Sequence, residues 1–205
     1  QLGMEGQLFT LVTPSGKIEV RLSAFGTHNI YNAIAASAAL MDRVSLEIIA
    51  EGLESFRPYK GRFRMEQLQG VTIIDDTYNA NPASTGAALA TLMGLKGDGR
   101  AFVALGDMLE LGDNEAELHR MTGVEAAQVA DMLYLVGSLT ARSAEGALEA
   151  GMAPEQVRSG LAHEEVADEI IRLARAGDII LLKGSRGMRM ERIAEIIRQK
   201  GFRGN

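Results

Sequence analysis

The 205 residues carry a net charge of −6 and no cysteine, which excludes disulfides and thiolate metal sites and argues against a general nucleic-acid binder. Apolar residues make up 46% of the chain, enough to build the core of one large domain or one and a half ordinary ones. No apolar run reaches the roughly 20 residues of a membrane helix, and the opening Gln1-Leu2-Gly3-Met4-Glu5 lacks the basic start and apolar core of a signal peptide, so no membrane insertion is expected and the cytoplasm is the default compartment. The chain does not open on methionine, and it is expected to be either a fragment or a processed form.

The first stretch predicts β structure. Gln7 to Val12 and Lys17 to Leu22 flank the turn signal Thr13-Pro14-Ser15-Gly16, and Ile18, Val20 and Leu22 alternate with polar residues as a half-buried strand should. A helix follows, with Ile30, Ala33, Ile34, Ser37, Met41 and Val44 at helical spacing and Thr27 as its expected cap. A second helix is predicted from Leu46 to Phe56, with Ser45 as cap, and Arg57-Pro58-Tyr59-Lys60-Gly61-Arg62 reads as a linker. One hairpin and two helices are thin for an independent core, so residues 1–62 are expected to be the tail of a larger domain.

From residue 63 to 205 the rhythm becomes strand, loop, helix. Strands are predicted at Met65 to Leu68, Val71 to Ile74, Ala101 to Leu105, Met132 to Val136 and Asp178 to Leu182. Helices are predicted at Ala83 to Leu95, Ala116 to Val129, Ala141 to Ala150, Glu164 to Ala174 and Met188 to Lys200. Continuous apolar strands alternating with helices imply an α/β fold, a mostly parallel sheet with helices on both faces.

Four polar clusters fall at predicted strand ends or helix starts. Asp75, Asp76, Tyr78, Asn79 and Asn81 follow the apolar run Val71-Thr72-Ile73-Ile74, and open α/β sheets bind ligands at the carboxyl ends of their strands. The same residue types also suit a plain turn. Gly106-Asp107-Met108 follows the strand ending at Leu105. Lys183-Gly184-Ser185-Arg186-Gly187 lies between the last strand and the last helix, where backbone N–H groups and two cations suit a phosphate, an acyl-phosphate or a carboxylate, or else simply a turn. Asn29 and Asn32 stand three apart at a helix start, so both amides face one way; they could read a nucleobase edge or serve as caps.

Other signals are absent. No Gly-x-x-x-x-Gly-Lys-Ser/Thr phosphate loop occurs, and Gly184-Ser185-Arg186-Gly187 does not fit Gly-x-Gly-x-x-Gly, which removes support for a nicotinamide oxidoreductase. His28, His119 and His163 lack metal-ligand spacing, and no metal site is expected in this chain. His119 and His163 are expected at the surface, among charged helical neighbours, as are Glu110, Asp113, Glu115 and Glu117; the ten methionines are expected to fill core.

Taken in order, Gly-Thr-His-Asn-Ile-Tyr-Asn-Ala (26–33), Gly61-Arg62, Asp-Asp-Thr-Tyr-Asn-Ala-Asn-Pro (75–82), Leu-Gly-Asp-Met-Leu-Glu-Leu-Gly (105–112) and Lys-Gly-Ser-Arg-Gly-Met (183–188) resemble the Mur ligases over essentially the whole chain. The pairing of Tyr-Asn-Ala-Asn-Pro with Lys-Gly-Ser-Arg-Gly-Met is similar to the branch that joins D-alanyl-D-alanine to UDP-N-acetylmuramoyl-tripeptide. The resemblance implies the end of a central ATPase domain followed by a complete Rossmann-like C-terminal domain. It also implies an amide ligase using ATP, with an acyl-phosphate intermediate. The family's phosphate loop and Mg ligands would lie upstream, so this chain alone is expected to be inactive, and a monomer. By the same resemblance Asn29 and Asn32 would lie at adenine, Arg62 at ATP phosphates, and Asp76, or less favourably Asp75, at the ribose. Tyr78, Asn79 and Asn81 would border the dipeptide pocket, while Lys183, Ser185 and Arg186 would act at the dipeptide carboxylate or acyl-phosphate. Two alternatives are another amide ligase of the superfamily, such as a folylpolyglutamate synthetase, and a nucleotide- or peptide-binding module without catalysis.

Overall fold

The computed structural model describes residues 6–202, so the Gln1–Glu5 stretch considered above for a signal peptide lies outside the described residues. The chain divides into two compact units, one ending at Tyr59 and one beginning at Lys60.

In the first unit β1 (Gln7–Thr13) and β2 (Gly16–Leu22) form an antiparallel hairpin whose loop is Pro14-Ser15. Thr13 Oγ1 accepts the Ser15 N–H at 3.3 Å, which shapes that turn. Leu11 and Val20 on the hairpin pack with Ile49 and Ala50 of α2 (Leu46–Ser55). Helix α1 (Thr27–Leu40) buries only Ala33 and Ser37, while Tyr31, Ile34 and Leu40 are exposed. The cap of α1 is not the expected residue, while that of α2 is. Gly26, at φ 85°, occupies the cap position of α1 and Thr27 is already helical; Ser45 does stand at the cap of α2 but makes no side-chain capping bond.

The second unit is built on a six-stranded sheet among the described residues, ordered β3-β4-β8-β5-β6-β7. Its strands are β3 (Arg64–Leu68), β4 (Val71–Asp76), β5 (Ala101–Gly106), β6 (Met132–Val136), β7 (Val157–Ser159) and β8 (Ile179–Lys183). Only β3 runs antiparallel, joined to β4 by Gln69-Gly70, both at positive φ, as a tight two-residue hairpin turn requires. The apolar runs of β5 and β8 are buried along their whole length, as strands covered on both faces must be. One face packs α6 (His163–Leu173) and α7 (Glu191–Lys200) against Val71, Ile73, Phe102, Ala104, Ile180 and Leu182. Alternate residues such as Ile74, Val103 and Leu181 point the other way. There α3 (Pro82–Leu95), α4 (Glu115–Ala127) and α5 (Thr140–Glu149) lie side by side.

Helices α4 and α5 cross at backbone contact. A Cβ on Gly123 would strike the Ser143 carbonyl, and one on Gly146 the Arg120 carbonyl. Strand order matters most for function. β8, last in sequence, inserts between β4 and β5, so the order reverses there and the loops after these three strands meet.

Candidate active site

Strand β4 runs two residues further than its apolar run suggests, because Asp75 and Asp76 pair in parallel with Leu182 and Lys183 of β8. The pleat sends the two carboxylates to opposite faces. Asp76 is at the site. Its Oδ1 accepts the Phe63 N–H at 3.0 Å, and its Oδ2 accepts from Lys183 Nζ at 2.6 Å. Asp75 is fully buried and engaged elsewhere: its Oδ1 accepts from Thr77 Oγ1 at 2.7 Å and its Oδ2 from Arg198 Nη2 at 3.1 Å. Arg198 also donates to Glu66 at 2.6 Å, which ties α7 to β3 and β4. Burial works against the Arg198 charge, but bonds to Glu66 and Asp75 prevail and hold its pKa above the ordinary value.

Lys183 is 2% exposed and donates both to Asp76 and to the Asn79 carbonyl, at 3.0 Å. Its ammonium is therefore a buried, neutralised brace between β8 and the loop after β4. Ser185 is buried too. Its Oγ accepts the Leu109 N–H at 2.9 Å and donates to the Ala80 carbonyl at 3.3 Å, while its own N–H donates to the Asp107 carbonyl at 3.1 Å. Three loops, after β4, β5 and β8, are thus joined at Ser185. Arg186 is exposed and lies 3.2 Å from Glu191.

Around Asp76 sit the exposed groups. The Arg62 guanidinium stacks over the Tyr78 ring at 4.3 Å, and the Tyr78 N–H donates to the Gly61 carbonyl at 2.8 Å. Asn79 and Asn81 are exposed beside them. Asn81 caps α3: its Oδ1 accepts the Ser84 N–H at 2.8 Å, and Ser84 Oγ accepts the Asn81 N–H in return. Arg62, Asp76, Tyr78, Asn79 and Lys183 are brought together; Asp75 is not. Asn29 and Asn32 belong to the first unit, where Asn29 Nδ2 donates to the Phe25 carbonyl at 2.7 Å and Asn32 Nδ2 lies 3.5 Å from Asn29 Oδ1. Their amides do share a face of α1.

Asp107 binds the start of α5, accepting the N–H groups of Ser138 at 3.1 Å and Thr140 at 2.8 Å. Gly137, at φ 114°, has no Cβ to collide with that carboxylate. The expectation for His119 is overturned: it is 1% exposed, its Nε2 lies 2.9 Å from the Met108 N and its Nδ1 2.7 Å from the Glu115 carbonyl. The signal lay in the small residues Thr122, Gly123 and Ala126, which at helical spacing mark the same buried face of α4. His163 is half-buried against the Met188 carbonyl at 2.7 Å, and so is not a free surface residue either. Glu110, Asp113 and Glu117 are exposed as expected, whereas Glu115 is partly covered. The methionines divide: Met108, Met152 and Met190 are buried, and Met93 and Met121 are exposed.

Among the described residues no three His, Cys, Asp or Glu side chains converge as a metal would require. No helix among them is long and apolar enough to cross a membrane.

The arrangement is that of a Rossmann-like α/β domain with a polar site at the carboxyl ends of its strands, where the strand order reverses. Residues 61–186 match the family described as Mur ligase, glutamate ligase domain, and the chain belongs to the Mur ligase family. It is 32% identical, over 199 residues, to the UDP-N-acetylmuramoyl-tripeptide–D-alanyl-D-alanine ligase of Haemophilus influenzae, with 96% of this chain and 43% of that protein covered. The protein of the same name from Bacillus subtilis is 36% identical over 173 residues, 83% of this chain and 38% of its own length. A solved structure of MurF from Acinetobacter baumannii superposes with a TM-score of 0.84 at 35% identity, covering 98% of this chain and 44% of that one. The chain thus spans less than half the length of these relatives.

Proposed function

We propose that this chain is the carboxyl-terminal part of an ATP-dependent ligase that adds D-alanyl-D-alanine to UDP-N-acetylmuramoyl-tripeptide, acting in the cytoplasm in peptidoglycan synthesis and so in cell shape and division. The observation that carries the reading is the gathering of Arg62, Asp76 and Tyr78 at the end of β4. The relatives' names point to the same activity.

The residues present fit a nucleotide. A carboxylate has about four lone-pair sites, and that of Asp76, held by the Phe63 N–H and Lys183, is an acceptor suited to a ribose hydroxyl. Stacking on Tyr78 engages the face of the Arg62 guanidinium, while its N–H edge is the part that recognises phosphate. Asn29 and Asn32 would meet the adenine edge. Bound ATP supplies the phosphoryl group that activates the substrate carboxylate. No metal step is assigned to these residues, and Mg ligands would come from the upstream ATP-binding region.

On this reading Lys183 and Ser185 position rather than contact ligand: Lys183 holds Asp76 and the Asn79 carbonyl, and Ser185 fixes the loop that carries Arg186. Arg186 and the amides of Asn79 and Asn81 would receive the dipeptide, the guanidinium facing its carboxylate. Residues 1–62 would be the tail of the central ATP-binding domain and 63–205 the C-terminal domain. The linker Arg57 to Arg62 would be the hinge that joins them.

The test is phosphate release from ATP in the presence of UDP-N-acetylmuramoyl-tripeptide and D-alanyl-D-alanine. This chain should be silent and the chain extended upstream through its phosphate loop should turn over only with both acceptors present. No turnover in either would favour a binding module.

A further inference from the structure

We infer that His119 is a positioning residue: its ring holds the loop after β5 and, through Ser185, the loop after β8 in the geometry that receives the dipeptide. The inference rests on the ligase reading above.

The Met108 N–H, 2.9 Å from Nε2, needs an acceptor. Nε2 is therefore the unprotonated nitrogen, and the proton sits on Nδ1, donating to the Glu115 carbonyl at 2.7 Å. One neutral tautomer satisfies both contacts. The ring is itself fixed by a rigid support. Gly123 and Gly146 bring α4 and α5 to backbone contact, and Ser143 Oγ of α5 donates to the His119 carbonyl at 2.9 Å.

The chain of bonds then runs outward from the ring. His119 accepts from Met108; the next residue, Leu109, donates to Ser185 Oγ; Ser185 donates to the Ala80 carbonyl. A void of about 10 Å³, bordered by Ala80, Gly106, Met108, His119, Ser143 and Lys183, lies beneath that loop, at the lower limit of the space one water fills. The bonds to the Met108 and Leu109 N–H groups fix the backbone of the loop above it. Glu110, held at φ 64° just beyond, shows that the backbone there is not relaxed on its own account.

The experiment uses the whole ligase, with its upstream region, and varies ATP and D-alanyl-D-alanine separately. His119→Leu removes the acceptor; His119→Gln places an amide oxygen where Nε2 was. The leucine variant should raise KM for the dipeptide about tenfold and lower kcat, with KM for ATP within about twofold, since misplacement of a positioning loop is felt at the group it orients. The glutamine variant should return to within about threefold of wild type, the bond being restored. An unchanged dipeptide KM in His119→Leu, an equal rise in both KM values, or a glutamine variant as impaired as the leucine one would overturn the proposal.

Hydrogen exchange supplies a readout free of activity. In His119→Asn, which stays polar but is too short to reach Met108, the amides of Met108 and Leu109 should exchange about tenfold faster while those of α4 stay protected. Unchanged exchange at both would overturn the positioning role, even if the leucine variant does not fold. An inactive wild-type enzyme would overturn the ligase reading instead, and the exchange result would still decide whether His119 holds the loop.

Discussion

Lys183 and Asp76 stand opposite one another on adjacent parallel strands, and their side chains meet at 2.6 Å with the lysine almost wholly buried. This one contact closes the seam between β4 and β8 at the point where the strand order reverses. The Lys183 ammonium is matched by Asp76 and also donates to the Asn79 carbonyl.

Lys183→Met should therefore cost stability before anything else. Removing one partner of a buried charge pair costs about 3 kcal/mol. Urea unfolding of the 205-residue chain measures it, and a loss below about 1 kcal/mol would mean that solvent screens the pair.

Asp75 and Asp76 should separate cleanly in mutagenesis. Asp75→Asn removes the charge that faces Arg198 and one of the two acceptor oxygens, and should lower stability by about 2 kcal/mol, with KM for ATP in the whole enzyme unchanged. A nucleotide defect without destabilisation would place Asp75, not Asp76, at the ribose.

Asp178 gives the acid dependence a definite sign. Burial raises its pKa, but the Arg100 side chain and the backbone N–H groups of Arg175 and Arg100 outweigh that and hold it below the ordinary 3.8. A carboxylate depressed in the folded state stabilises above its unfolded pKa, and that contribution is lost as pH falls through the folded value. Asp178→Asn should cost about 2 kcal/mol at pH 7. The gap to wild type should close as pH is lowered below about 4. A gap that stays constant down to pH 2 would contradict this.

Gly123→Ala tests the helix crossing on which His119 depends. The new Cβ would overlap the Ser143 carbonyl, and forcing α4 and α5 apart should cost about 2 kcal/mol or more. A thermal midpoint equal to wild type would show that the helices can part without loss.

Much of the fold was legible. Apolar runs such as Ala101 to Leu105 and Ile179 to Leu182 announce strands buried on both faces, and the helices between them follow from spacing. What escaped was set by neighbours in space. β7 is three residues long, with Arg158 and Ser159 exposed at the sheet edge, so it carries no apolar signature. Asp75 and Asp76 look like loop residues until β8 is seen beside them. His119 sits among Glu115, Glu117 and Arg120, which read as a solvated face; the loop after β5 and the α5 crossing bury its side. At the site, Asp76 and Tyr78 were visible in one polar cluster and Lys183 in another, both at strand ends. That Lys183 is a brace and Ser185 a junction could not be read from residue types, because a buried ammonium and a ligand-facing one share the same letter.

The most direct measurement is steady-state phosphate release by the whole enzyme carrying Asp76→Ala, beside wild type, with ATP, UDP-N-acetylmuramoyl-tripeptide and D-alanyl-D-alanine. Asp76 links the Phe63 backbone, Lys183 and the proposed ribose contact, so kcat/KM for ATP should fall about 100-fold or more in a protein that remains folded. A folded Asp76→Ala enzyme within about threefold of wild type would contradict the assignment of this strand end as the nucleotide side of a ligase site.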